Sequence, residues 1–337
     1  MSERILLSHG SGGELTHRLI EELFVAHFDN DQLRKLSDSS LLGRRNDEIL
    51  FTTDSYVVDP IFFPGGDIGK LSVCGTVNDL AVAGAQPAYL SAGFIIEEGF
   101  PMEDLRRVVA SMAREAKQAG VQIVTGDTKV VNKGKADKIF INTSGVGFLH
   151  PHLGSSLNGR GIKEGDKIIV NGHLGEHGLA VLAAREDLQI SSQIHSDCAS
   201  LNGLINKILN QVEGVRMMRD LTRGGLATVM CELAGQANIG IHLEEDDLPA
   251  GEQVKGLCEM LGLDPLYLAN EGKFVAMVDA RSADKMMDVM RADPLGRNAR
   301  VIGEVVEEHP SRVVMQTRIG GRRIIEMLTG EQLPRIC

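Results

Sequence analysis

The chain has 337 residues, 43% of them apolar, and a formal net charge of −11. That length suits two domains rather than one core, and an acidic chain without a Lys/Arg-rich block excludes nucleic-acid binding through a basic face. No apolar run approaches a membrane span and the first residues lack the apolar region of a signal peptide, so a cytoplasmic protein with no membrane attachment is expected. Trp is absent and aromatics make up 4%, which leaves the core to Val, Ile, Leu, Met and Ala. The five cysteines, Cys74, Cys198, Cys231, Cys258 and Cys337, include no C-x-x-C pair and fit a reducing compartment. Cys74, Cys231 and Cys258 lie in apolar helical patterns and are expected to be buried.

In chain order, a glycine-rich segment, His9-Gly10-Ser11-Gly12-Gly13, precedes a helical pattern over 14–24. Residues 48–58 read as a strand and 69–85 as a helix. A second helix covers 101–119, with Pro101 at its first turn and Gly120 after its end. Short strands follow at 121–124 and 138–148. Residues 150–166 carry four glycines and little periodicity, and are read as a domain boundary. Beyond it come a strand at 167–171, helices at 178–185 and 199–212, and a strand at 216–220 whose turn opens a helix over 226–236. Strands at 274–278 and 301–306 flank a helix at 283–291, and 313–316 with 322–328 read as a hairpin about Gly320-Gly321. The pattern is that of two α+β domains of mixed sheet and helix, 1–150 and 151–329, followed by a tail over 330–337. Pro334 argues against helix in that tail, which is expected to be flexible. Seven extended residues reach roughly 23–25 Å. Leu333 and Ile336 alone offer less burial than ordering the segment costs, so an outward tail is favoured unless further contacts exist.

Cys337 can be an incidental thiol on a frayed end, or the thiolate of a carrier arm that accepts a group. Asp54, Asp79, Asp127 and Asp220 sit at or near strand and helix ends, where caps and turn residues are common. If the four converged, they would supply oxygen ligands for magnesium and a triphosphate. Asp79, with Asn78 before it, is placed inside an apolar helical pattern where neither residue is needed as a cap. Amides of the His9–Gly13 segment could cradle phosphates, or simply form a turn. The run Gly65-Gly66-Asp67-Ile68-Gly69-Lys70-Leu71-Ser72 imitates a P-loop but has the wrong spacing and Leu71 where Ser or Thr is needed. Glu271, in Asn270-Glu271-Gly272-Lys273, is a turn carboxylate or a general base at a strand edge. Lys129 is a surface lysine or a partner of the turn at Asp127-Thr128.

Taken together, HGSGG, TDS at Asp54, ND at Asp79, GDTK at Asp127, RDLTRGG at Asp220, NEGK at Glu271 and the closing PRIC resemble the HypE family of hydrogenase maturation proteins. That family lies within the superfamily of aminoimidazole ribonucleotide synthetase, selenophosphate synthetase and thiamine-monophosphate kinase. The acidic motifs point to the superfamily; Pro334-Arg335-Ile336-Cys337 points to the hydrogenase branch. Residues 149–163 and 185–198 carry nothing over. The resemblance implies a dimer whose N-terminal domains share a β-barrel, with ATP near the interface. It implies magnesium held by Asp54, Asp79, Asp127 and Asp220, and nucleotide contacts from His9, Gly10, Ser11, Gly12, Gly13, Asn78, Thr128 and Arg223. The implied reaction is ATP-dependent dehydration of a carbamoyl group on Cys337 to a thiocyanate, with Glu271 taking a proton and Lys129 steadying charge. The carbamoyltransferase HypF loads the thiol, and the cyano group passes to iron on a HypC–HypD complex. A kinase or synthetase acting on a free small molecule, and a non-enzymatic scaffold, are the alternatives.

Overall fold

The computed structural model describes residues 4–10, 14–35, 48–157, 159, 161–185, 193–328, 333 and 335–337. Ser11, Gly12, Gly13 and Pro334 lie outside them. The first half opens with α1 (Glu14–Leu19), a π-helical turn over Ile20–Val25 and α2 (Ala26–Phe28). It continues through β1 (Ile49–Tyr56), a hairpin of β2 (Phe62–Phe63) and β3 (Gly66–Asp67), and α3 (Ile68–Val82). Then come β4 (Ala85–Glu97), α4 (Met102–Ala119), β5 (Gln122–Val131) and β6 (Ile139–Leu149). The second half holds β7 (Lys167–Val170), α5 (Glu176–Ala183), α6 (Asn202–Gln211), β8 (Val215–Asp220), α7 (Gly225–Ala237), β9 (Gly240–Glu244) and α8 (Glu252–Leu261). It closes with β10 (Phe274–Val278), α9 (Ala283–Arg291), β11 (Arg300–Val306), β12 (Arg312–Gln316) and β13 (Arg322–Ile325).

Two sheets organise these elements. The first has the order β1-β6-β4-β5, antiparallel except for the parallel pair β4 and β5. A parallel pair needs a crossover, and α4 supplies it. The pleat separates the two sides of this sheet. Ile49, Phe51, Thr53 and Ser55 of β1 point to a face that no described helix covers, and Ile49 and Phe51 are 63% and 69% exposed. The registers place Ser144 and Asn142, then Ser91, Gly93 and Ile95, then Asp127 and Lys129, on that same open face. The second sheet runs β13-β12-β9-β11-β7-β10-β8. β10 is buried throughout: Val275 and Met277 join a core with α7, and Phe274, Ala276 and Val278 join one with α6 and α9. A continuous apolar strand is what burial on both faces requires.

α3 connects the two halves. It is apolar on nearly every side and packs on β1, β6 and α4 of the first half and on α6 and β8 of the second. Asp67 caps it, accepting from the amides of Gly69 and Lys70 at 2.8 and 3.1 Å, so the P-loop look-alike is a hairpin and a helix cap. Six of these elements have no counterpart in the sequence reading: α2, β2, β3, β4, β9 and α8. The strand expected at 121–124 runs on to Val131, which puts Asp127 inside a strand rather than after one. Asp54 likewise lies inside β1 instead of ending it. Cys74, Cys198 and Cys258 are buried, whereas Cys231 is only half-buried.

α3 meets β1 through a buried hydroxyl chain. Tyr56 Oη lies 3.4 Å from Thr76 Oγ1, which lies 2.6 Å from Thr143 Oγ1, and Thr143 donates to the Ser72 carbonyl at 2.8 Å. A Cβ on Gly75 would collide with the Tyr56 hydroxyl. Gly75→Ala is therefore expected to cost about 2 kcal/mol through overpacking. In a Tyr56→Phe background, where the colliding oxygen is gone, the same change should cost less than half as much; a urea-denaturation double-mutant cycle measures the difference.

Candidate active site

Four carboxylates from separate elements face one cleft between the sheets. Asp54 comes from β1, Asp79 from α3, Asp220 from the end of β8, and Glu271 from the loop before β10. Asp79 accepts a hydrogen bond from Thr52 Oγ1 at 2.9 Å. Asp220 and Arg223 line the same cavity as Asp79, a space of about 610 Å³. Gly224 and Gly225, both with positive φ, make the turn between β8 and α7. A Cβ on Gly225 would strike the carbonyls of Leu266 and Leu268, so only glycine lets Asp220 and Arg223 approach this closely.

Crowding shows in the electrostatics. Burial raises the Asp79 carboxyl to about 6, with Asp54 adding to the rise and Thr52 opposing it. Burial, then Asp79, raises Asp220 to about 7. Glu271 is held well above the ordinary carboxylate range by burial and then by Asp220, Asp197, Asp54 and Asp79. Its Oε1 is buried and has no hydrogen-bond partner among the described residues. A set of hard oxygens that repel one another and include one unpartnered atom fits a magnesium ion. Even so, among the described residues no three such side chains are gathered tightly enough to hold an ion without rearrangement.

The loop that carries Glu271 is fixed on every side. Asp197 accepts the amides of Glu271 and Gly272 at 3.1 and 3.0 Å and the Lys273 ammonium at 3.0 Å. Lys273 also reaches Glu176, at 3.3 Å. Asn270 donates to the Leu221 and Leu268 carbonyls and accepts the Gly175 amide. Asn78 is buried in the same framework. Its amide donates to the Ala199 and Glu271 carbonyls and accepts from the Leu201 amide. That corrects the expectation of a nucleotide contact: the side chain is committed to backbone and positions the Glu271 loop instead.

The end of the chain enters this cleft. Residues 335–337 run beside 57–59, with the Val57 amide donating to the Cys337 carbonyl at 3.3 Å and the Asp59 amide to the Arg335 carbonyl at 3.1 Å. Arg335 donates to the Val57 carbonyl at 3.0 Å and pairs with Asp137. Ile336 is 2% exposed within the first-half core. These contacts were absent from the sequence estimate, which counted two apolar side chains only, and they are the physical reason the described tail lies inward. Burial, then Glu271, pushes the Cys337 thiol far up, with Arg223 opposing. The docked sulfur is a neutral thiol.

The remaining expected residues lie elsewhere in this one chain. Lys129 Nζ bonds Asp127 at 2.9 Å, and both line a cavity at the β5 edge with Thr128, Phe24 and Phe28. His9 is buried, its Nδ1 accepting the Leu6 amide at 2.9 Å, and the Leu7–Gly10 turn packs on β5. Sequence reasoning missed Asp197, His177 and Tyr56. Lys273 sat inside a recognised motif, but Asp197 lay in a segment that carried no signal.

AIR synthase related protein family models match residues 37–149 (N-terminal domain) and 163–316 (C-terminal domain), and define the class. A carbamoyl dehydratase HypE of Cupriavidus necator is 52% identical over 337 residues, spanning 100% of this chain and 95% of the relative. A crystal structure of hydrogenase maturation protein HypE in complex with ATP aligns with a TM-score of 0.94 at 48% identity, covering 98% of this chain and 99% of that one. A HypE–HypF complex aligns at 0.79 and 49% identity, over 92% and 99%. The chain belongs to the HypE family of carbamoyl dehydratases.

The raised carboxyls set a pH dependence. A carboxyl whose pKa is higher folded than unfolded binds its proton more tightly in the folded state. The repulsion then develops as pH rises from about 4 through the folded values near 6 and 7. In chelator-treated protein, Asp220→Asn should therefore raise stability by about 1–2 kcal/mol at pH 8 and by almost nothing at pH 4. Melting curves across that range test it, and magnesium should stabilise the parent chain more at pH 8 than at pH 5.

Proposed function

We propose that this chain uses ATP to dehydrate a carbamoyl group on the Cys337 thiol, leaving a thiocyanate that supplies the cyanide ligand of the iron in [NiFe]-hydrogenase maturation. The observation that carries the reading is Cys337 docked beside Glu271 in a carboxylate cleft, in a member of the HypE family. A thiocarbamate oxygen is a poor leaving group. Transfer of the ATP γ-phosphoryl to that oxygen lets the C–O bond break with phosphate departing. Loss of two protons from nitrogen completes S–C≡N, with ADP and phosphate as the other products.

Glu271 is assigned the role of proton acceptor at nitrogen. Held by its loop, it is a strong base once ionised, but burial, and then the surrounding carboxylates, hold its pKa well above the usual carboxylate range. Magnesium, when bound by Asp54, Asp79 and Asp220 with Asp127, would offset that charge and stabilise the transferring phosphoryl. Arg223, in the turn before α7, is assigned to the phosphates because it lines the same cavity as Asp79 and Asp220. Lys129, Thr128 and the His9–Gly13 segment are assigned to the nucleotide as well, yet Lys129, Thr128 and the turn carrying His9 sit at the β5 edge. Pairing of two first-half sheets through the open face of Ile49, Phe51 and Ile95 would join the two groups into one site. Residues 1–150 accordingly serve ATP binding and dimerisation, and 151–329 complete the cleft.

The neutral, docked thiol also implies a second position for the tail. Accepting a carbamoyl group requires a thiolate within reach of HypF, outside the cleft. The tail end at 335–337 therefore alternates, and ATP favours the inward state by completing the site. The cyano group passes on to a HypC–HypD complex, in the cytoplasm.

Incubation with HypF, carbamoyl phosphate and ATP, followed by mass spectrometry of the C-terminal peptide, is the direct test. Cys337→Ala should gain no carbamoyl mass, while Cys258→Ala should be modified like the parent. Asp79→Asn should still be loaded but should form thiocyanate about a hundredfold more slowly. Full-rate dehydration by that variant would remove Asp79 from the site. Sedimentation should show a dimer at micromolar concentration, shifted toward monomer by Phe51→Asp; a monomeric parent would rule out the shared barrel.

A further inference from the structure

The first turn of α5 touches both reacting ends of the cleft. Glu176 pairs with Lys273, and Lys273 with Asp197, which holds the Glu271 amide. The next residue, His177, is fully buried, its ring edge-to-face with Phe63 at 5.4 Å between centroids. Its Nε2 lies 2.9 Å from the carbonyl oxygen of Ile336, and its Nδ1 lies 2.8 Å from Ser196 Oγ. Ser196 Oγ in turn accepts the Cys198 amide at 3.1 Å.

The directions of these bonds are determined by what each atom can do. A carbonyl only accepts, so Nε2 must carry a proton. Burial disfavours the imidazolium, although Asp197 and the Ile336 carbonyl work the other way; the net shift is downward and the ring is neutral. Nδ1 is then an acceptor and takes the Ser196 hydroxyl proton. Ser196 keeps a lone pair for the Cys198 amide. The relay runs one way, from Cys198 N–H through Ser196 O–H and His177 N–H to the carbonyl that immediately precedes Cys337.

We propose that His177 is a positioning residue: with Ser196 fixing its tautomer, it latches the Ile336 carbonyl and thereby sets the depth at which Cys337 enters the cleft. The proposal rests on the docked tail being the reactive state. The other tail contacts come from the Val57 and Asp59 amides, from Arg335 at the rim and from Arg185, whose guanidinium donates to the Arg335 carbonyl at 3.3 Å, whereas His177 is the fully buried side chain that donates to the carbonyl next to Cys337. Without it, the Ile336 carbonyl would be buried with no partner from α5, and the inward state would lose population to the outward one.

The test reads tail position without any chemistry of the family. Full-length protein, free of nucleotide and carbamoyl donor, is alkylated with iodoacetamide, and the rate at Cys337 is followed by peptide mass spectrometry. His177→Ala should raise that rate about tenfold. His177→Gln, which keeps an N–H donor near the Nε2 position, should stay within about threefold of the parent. Melting temperatures are recorded alongside. Parent-like alkylation of a folded His177→Ala would overturn the latch, as would His177→Gln alkylating as fast as His177→Ala. If His177→Ala does not fold, Ser196→Ala decides: a severalfold faster alkylation supports the relay and an unchanged rate refutes it. Because the readout needs no dehydration, a failed latch and a failed enzymatic reading give different results.

Discussion

The cleft depends on one buried charge. Asp197 is removed from water and its burial opposes ionisation, yet the Lys273 ammonium and the Glu271 amide outweigh that and hold its carboxyl below the usual range. A buried carboxylate survives only when its lone pairs are met, and here two consecutive amides and an ammonium meet them. The consequence is geometric. Gly272 lies so close to the Asp197 carbonyl that no side chain could replace its hydrogen, and Glu271 is left facing the carboxylates of the first half. Removing Lys273 would leave Asp197 unpaired and loosen the loop it organises.

Around that fixed loop, the cleft is assembled from groups that repel one another. Asp54, Asp79, Asp220 and Glu271 come from four elements, and α3 brings the two halves close enough for their charges to interact. Such crowding costs stability in the folded state, and a bound cation would relieve it. The tail meets the same site from the opposite side. Its anchors are mostly backbone, along 57–59, so little of its affinity depends on side chains that catalysis needs.

Much of the architecture was legible along the chain, and the exceptions have physical causes. β10 and α9 were placed to the residue, because a five-residue apolar run and a strongly amphipathic stretch between turn residues have few other readings. β4 was missed although it is the longest strand. It begins Ala85-Gln86-Pro87-Ala88, where a proline and small residues hide a strand that is central in its sheet. β5 was cut short at Val124 because Gly126 and Asp127 resemble a turn. They are a strand because β4 pairs with them in parallel, and a Cβ at Gly126 would collide with the Ala92 carbonyl. Local preference lost to pairing in each case.

The residue types of the site were readable for a simple reason: carboxylates inside apolar patterns, a glycine turn after a strand and a thiol beside Ile336 have no structural need to be there. What those residues meet was decided only in three dimensions. Asn78 looked like a ligand and is a brace, since its amide is used up on backbone more than a hundred positions away. Asp127 and Lys129 face the open side of the first sheet in this chain, away from Asp79, because a strand pleat sends alternate residues to opposite faces. Asp197, His177 and Ser196 gave no sign along the chain, because their roles consist of bonds to distant backbone. Sequence alone determined which chemistry the chain can offer; the tertiary fold decided which groups share a cleft, since charge and hydrogen bonding act across a few ångströms of space regardless of separation along the chain.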